Sequence, residues 1–97
     1  MTNVYIDDFG YHLSMNVETN QTSLTLQNAD EIIFKAVGIN TRHEVEGNAI
    51  YSDGSFLYEV QENDFIKDTY SITLIFKYLN GEVTTQVSGD FGYIKAL

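Results

Sequence analysis

Apolar and polar residues alternate with a period of two through nearly the whole chain. That pattern restricts the fold to one assembled from half-buried strands. The longest run is Tyr70, Ile72, Leu74, Phe76 and Tyr78. Asn80-Gly81 follows it, and Val83, Thr85 and Val87 resume the alternation. An Asn-Gly pair between two alternating runs predicts a hairpin closed by a type I′ turn, because both residues tolerate positive φ. Phe76 is predicted to face the core.

The rest of the chain reads the same way. Val4 and Ile6 precede the Asp7-Asp8-Phe9-Gly10 corner, and Tyr11, Leu13, Met15 and Val17 follow it. Leu24 and Leu26 flank Thr25 in a short piece that Gln27-Asn28-Ala29-Asp30 interrupts. Between Glu31 and Gly38, Ile32, Phe34 and Ala36 share one face, and Ile33, Lys35 and Val37 share the other. Two nearly apolar faces mark a central strand. Arg42 to Glu46 is polar and reads as an edge strand. Asn48 to Tyr51 is a short apolar step into the turn Ser52-Asp53-Gly54-Ser55. Phe56, Tyr58 and Val60 alternate next, and Gln61 to Asp68 is an acidic connection. It has room for one helical turn, capped by Asn63 or Asp64. Phe91, Tyr93 and Ile94 close the pattern. The expectation is an all-β fold of about seven to eight short strands, as a sandwich or a small barrel.

A chain of 97 residues suits one domain spanning residues 1–97. Hydrophobic residues make up 43% and aromatics 13%, enough for one core and too many for a disordered chain. The absence of Cys excludes disulfides, thiolate nucleophiles and Cys-based zinc sites. No apolar run approaches the ~20 residues that span a bilayer as a helix. The first residues lack the basic and apolar regions of a signal peptide, so the chain is expected to be a whole gene product or an intact N-terminal domain. The net charge of −9 argues against bare nucleic acid and against anionic membranes as partners.

Candidate chemistry is sparse. His12 and His43 fall in predicted strands without an evident catalytic partner, and both read as solvated strand histidines. Carboxylates group at Asp7-Asp8, Asp30-Glu31, Glu44/Glu46 and Glu59/Glu62/Asp64/Asp68, without a calcium-loop pattern. They read as turn formers and strand-end caps. The glycines carry no phosphate-binding fingerprint, and no serine sits in a G-x-S-x-G elbow. No catalytic, cofactor or metal residue is expected. The seven tyrosines fall mostly on the inward phase and are expected to pack in the core.

The order of these segments is familiar. Val4-Tyr5-Ile6-Asp7-Asp8-Phe9-Gly10 precedes an alternating strand. Leu26-Gln27-Asn28-Ala29 leads into Ile32-Ile33-Phe34-Lys35. Ser52-Asp53-Gly54-Ser55-Phe56-Leu57-Tyr58 and Glu62-Asn63-Asp64-Phe65 come before the Tyr70–Tyr78 strand and the last hairpin. This order resembles the immunoglobulin-like domains of tailed-phage virion proteins, such as the N-terminal domains of baseplate upper proteins and small fibre or decoration proteins. Gly38-Ile39-Asn40-Thr41 stands where those domains often carry a Pro-Asp-Gly turn.

The resemblance implies an immunoglobulin-like antiparallel β-sandwich with a structural or attachment role and no enzymatic activity. It implies other virion proteins as partners, with further copies of the chain also admitted. Residence in the virion would follow synthesis in the host cytoplasm. Docking by strand addition would use Arg42, His43 and Glu44 on the polar edge, and Phe91, Tyr93 and Ile94 in the terminal segment. The alternative is a small acidic phage-encoded inhibitor that binds a basic host nucleic-acid-binding protein by charge mimicry.

Overall fold

The computed structural model describes residues 2–16 and 26–97. Val17, Leu24 and Thr25, read above as strand residues, lie outside the described residues. Eight strands are described: β1 (Thr2–Val4), β2 (His12–Met15), β3 (Glu31–Gly38), β4 (Glu44–Asn48), β5 (Ile50–Ser52), β6 (Ser55–Glu59), β7 (Asp68–Asn80) and β8 (Val83–Ala96). A single 3-10 turn, Leu26–Asn28, precedes β3.

The strands form two sheets, in the orders β1-β8-β7-β3-β4 and β2-β6-β5. The two sheets face one another as an all-β sandwich, and their strand orders match the B-E-D and G-F-C-C′ orders of immunoglobulin domains. Every pairing is antiparallel except that of β1 with β8, which is parallel. The larger sheet is therefore mixed rather than purely antiparallel.

The inward phase is the one the alternation marks. Ile32, Phe34 and Ala36 of β3 oppose Phe76, Leu74 and Ile72 of β7, and all six are buried. From the smaller sheet, Leu13, Met15, Phe56 and Tyr58 face them. The rings of Phe34 and Tyr58 stack across the sandwich at 4.0 Å, and Phe56 meets Phe76 edge-on at 5.1 Å. Such pairs add to burial itself, which contributes about 1.5–3 kcal/mol per large apolar side chain. Tyr58, Tyr70, Tyr11 and Tyr78 join the core or pack against it, whereas Tyr5, Tyr51 and Tyr93 are exposed.

Three turns differ from expectation. The β7–β8 hairpin forms, but Asn80 pairs with Val83, so Gly81 and Glu82 are the central residues. Only Gly81, at φ 63°, is left-handed there, which is the signature of type II′ rather than type I′. A glycine at the first central position satisfies that turn alone, and Asn80 stays in the strand. The Gln61–Asp68 connection contains no helical turn. Asp64 instead accepts from the Gln61 backbone N–H at 2.8 Å and from the Tyr58 hydroxyl at 2.5 Å, while Asn63 takes φ 67°. The carboxylate closes a tight turn against β6 in place of capping a helix. Finally, Arg42 has φ 64° and its N–H donates to the Gly38 carbonyl at 3.1 Å. It belongs to a turn, so the polar edge strand begins at Glu44.

A β-bulge interrupts the β7–β8 ladder. Ile72 pairs with Gly92 and Thr73 with Asp90, which leaves Phe91 as the extra residue. The bulge inverts the phase of β8. Val87 points inward before it, and Ile94 and Ala96 point inward after it.

Candidate interaction surface

At one end of the sandwich β1 and β8 finish, β2 and β7 begin, and β3 turns into β4. The segment from Tyr5 to Tyr11, the Ile39–His43 turn and the Val60–Lys67 connection meet there. Backbone hydrogen bonds tie them to the sheets. Ile6 donates to Leu97 at 3.0 Å, Leu97 to Val4 at 2.9 Å, and Gly10 to Val60 at 2.7 Å. Tyr5, Phe9, Ile39, Ile66 and Leu97 stand exposed at this end. They are five of the ten large hydrophobic residues exposed among the described residues, so this end is the main apolar surface. Asp7, Asp8, Glu62 and Asp64 belong to the same segments, with Arg42, Lys67 and Lys95 as the cations at this end.

A buried carboxylate fixes the scaffold beneath. Asp68, 8% exposed at the start of β7, accepts hydrogen bonds from Thr41 N–H at 2.9 Å and Thr41 Oγ1 at 2.7 Å. It also accepts from Asn40 N–H at 3.2 Å, Asn40 Nδ2 at 2.9 Å and its neighbour Thr69 N–H at 2.7 Å. No cation takes part in this set. Neutral donors hold the β3–β4 turn to β7, and Gly38 leaves the space in which the carboxylate and the turn meet.

The Thr41 backbone N–H and hydroxyl, helped by Asn40 and Thr69 and opposed by desolvation, hold the Asp68 carboxyl well below the usual carboxylate range. Folding thus favours the charged form. The stability Asp68 contributes is complete above its unfolded pKa of about 4 and is lost as pH falls through its lowered folded value. Thermal unfolding by circular dichroism from pH 7 to pH 2 should show a midpoint that falls below about pH 4. Asp68→Asn should lower the midpoint at pH 7 and flatten the acid limb. An acid limb of equal slope in both proteins would refute the assignment.

Tyr70, two residues further on, makes the corner that immunoglobulin-type sandwiches place at the start of this strand. Its hydroxyl accepts from the Ile66 backbone N–H at 3.0 Å, and its ring meets Phe65 edge-on at 5.0 Å. The same hydroxyl lies 2.8 Å from Nδ1 of His43. His43 is therefore not a freely solvated strand histidine. It is half-buried in a turn and pinned to the corner. His12 is exposed in β2, as expected.

The six residues expected to form an interface are divided by the structure. Arg42 and Glu44 are exposed beside the apolar end, with His43 between them, and Glu44 lies 3.9 Å from Lys35 of β3. Tyr93 is 55% exposed on the outer face of β8. Phe91, the bulged residue, is half-buried and packs on the core. Ile94 is 1% exposed, because the bulge turns it inward, and it offers nothing to a partner. Nor is the terminal segment a free edge, since β1 pairs with Ile94–Ala96. A groove of about 240 Å³ runs between β2 and the β1–β8 edge, lined by Tyr11, His12, Met15, Ile72 and Phe91 among others. The Tyr11 hydroxyl is buried close to the Tyr5 backbone. Burial, with the charge of Asp8 next in weight, raises its pKa.

The exposed end residues were not singled out by the alternation, because Tyr5, Phe9, Ile39 and Ile66 lie in connections. The available signal was a large apolar residue inside a turn segment, where a polar one is usual. Among the described residues, no group of three His, Cys, Asp or Glu side chains is placed to hold a metal ion. No family model, curated protein or solved structure matches the chain.

Proposed function

We propose that the chain is a non-enzymatic structural or attachment protein of a tailed-phage virion, docking to another virion protein in the baseplate, tail or head fibre. The observation that carries the docking is the exposure of Tyr5, Phe9, Ile39, Ile66 and Leu97 at one end of the sandwich. Aromatic and aliphatic anchors surrounded by charge are the usual anatomy of a protein interface. The Asp68 and Tyr70 corners hold the turns that present Ile39 and Ile66, and backbone bonds from Ile6 to Leu97 and from Gly10 to Val60 hold the segment with Tyr5 and Phe9, so little ordering is required on binding. The virion assignment rests on the order of sequence motifs.

The placement of the carboxylates supports docking over charge mimicry. Mimicry needs acids gathered on one face. Asp7, Asp8 and Glu62 lie at the apolar end, Glu44 and Glu46 on the β4 edge, and Asp30, Asp53 and Glu82 towards the opposite end.

Purified virions analysed by mass spectrometry should contain the protein, and its absence would end the virion reading. A pull-down from infected cells should retain a capsid, baseplate or tail protein at high salt. Tyr5→Ser with Phe9→Ser should reduce that recovery about tenfold, since one anchor is worth about 1–2 kcal/mol or more. Both sites are exposed, so stability should change by no more than about 0.5 kcal/mol each. Undiminished recovery would remove this end from the interface. A basic nucleic-acid-binding protein that washes off with salt would instead favour the inhibitor.

A further inference from the structure

The outer edge of β8 lacks, among the described residues, the protection that sheet edges normally carry. Among the described residues β1 covers only Ile94–Ala96, so no strand lies beside Val83–Phe91. Natural edges avoid pairing with other chains by being short or by carrying charge, Pro or a bulge. The other edges comply. β1 and β5 have three residues each and β2 has four, while β4 carries Glu44 and Glu46. The β8 edge does not comply until its bulge at Phe91. Val83-Thr84-Thr85-Gln86-Val87-Ser88-Gly89 has no charge and no Pro, and Val83, Thr84, Thr85 and Val87 are β-branched. The hairpin also overhangs the smaller sheet, leaving Leu79 62% and Val83 64% exposed on opposite faces.

We propose that a second copy of the chain adds to this edge, β8 against β8, antiparallel about a two-fold axis. The two five-stranded sheets then run on as one. Charge selects the edge on which two copies can meet, and the self-complementarity of a strand with its own copy selects the occupant. Two chains of net charge −9 repel wherever acids meet, and Val83–Gly89 is the long edge on which none do. A strand paired with its own copy is self-complementary and closes at the dimer.

The hairpin sets which groups face the copy. Its two-residue turn makes Asn80 and Val83 the closing hydrogen-bonded pair, so the backbone groups of Thr84, Gln86 and Ser88 point away from β7. Centring the axis on Gln86 would set Glu82 against Asp90. Centring it on Thr85 pairs Thr84 with Gln86 and Val83 with Val87, and sets Glu82 opposite Ser88. The second register avoids the acidic pair and aligns two β-branched side chains. This dimer leaves the docking end of the molecule free, so it stands independently of the function proposed above.

Sedimentation velocity of the purified chain from low to high micromolar concentration tests it. A species of twice 11.0 kDa should appear, and its fraction should rise with added salt as repulsion is screened. Gln86→Pro removes one outward N–H and leaves the β7 ladder intact, and should weaken the dimer about tenfold or more. Gln86→Glu, which leaves the backbone able to pair, should weaken it in a way that salt reverses. Thr85→Cys, in a chain with no other Cys, should give a disulfide-linked dimer on mild oxidation, because Thr85 would face its own copy as a non-hydrogen-bonded pair, whose Cα atoms stand about 4.5 Å apart, within the span of a disulfide. A monomer at every concentration would overturn the proposal. So would a dimer indifferent to both Gln86 variants, or a dimer that Thr85→Cys fails to cross-link.

Discussion

Phe76→Ala should destabilise the protein by about 3–5 kcal/mol, the range for deleting a fully buried ring. The side chain is 0% exposed on β7, opposite Ile32 on one flank and Val87 on the other. Its ring also meets Phe56 edge-on, so the loss is felt in both sheets. Neighbours on paired strands cannot collapse into the space without breaking ladder bonds, which keeps the cavity open. A domain of this size has about 5–15 kcal/mol of stability in all. The midpoint of thermal unfolding should fall by on the order of 20 °C. A shift of only a few degrees would show that the ring is not the link between the sheets.

The second large effect is at a position with no side chain. A methyl on Gly38 would press on the Asp68 carboxylate and stand 2.7 Å from Thr41 Oγ1. Neither group is free to move, since each is held by the hydrogen bonds that close the corner. Gly38→Ala should therefore cost about 3 kcal/mol, combining overpacking of roughly 1–3 kcal/mol with about 1 kcal/mol for a lost hydrogen bond. Urea denaturation at pH 7 should show a lower midpoint with an unchanged slope. The variant should also lose the part of the acid dependence that belongs to Asp68, because its donors no longer reach it. A loss under about 1 kcal/mol would mean the corner relaxes around the methyl group.

Side-chain period made most of the fold legible. The alternations of β3, β6 and β7 place Phe34, Tyr58 and Phe76 inward, and the Ser52–Ser55 turn stands where its residues put it. What the alternation did not show was everything set by contacts distant in sequence. The bulge at Phe91 depends on β7, and without it Phe91 and Tyr93 read as one phase while Ile94 reads as surface. The pairing of β1 with β8 joins residues more than ninety positions apart, and no local pattern encodes it. Asp68, in an acidic connection, reads from the sequence as one more turn former or strand-end cap. Its donors come from Asn40 and Thr41, so only folding shows it to be a buried clasp. The candidate site was least legible because exposed apolar residues in loops have no period to betray them.

The parallel pairing of the first and last strands has a mechanical side. Tension drawn between residues 2 and 96 pulls β1 and β8 past one another along their length. The bonds that join Thr2–Val4 to Ile94–Ala96, with the Ile6–Leu97 and Leu97–Val4 bonds beyond them, are then loaded together and must give way together. A hairpin pulled at its open end would unzip one bond at a time. A module clasped in shear holds its two ends together under load while its core stays shut.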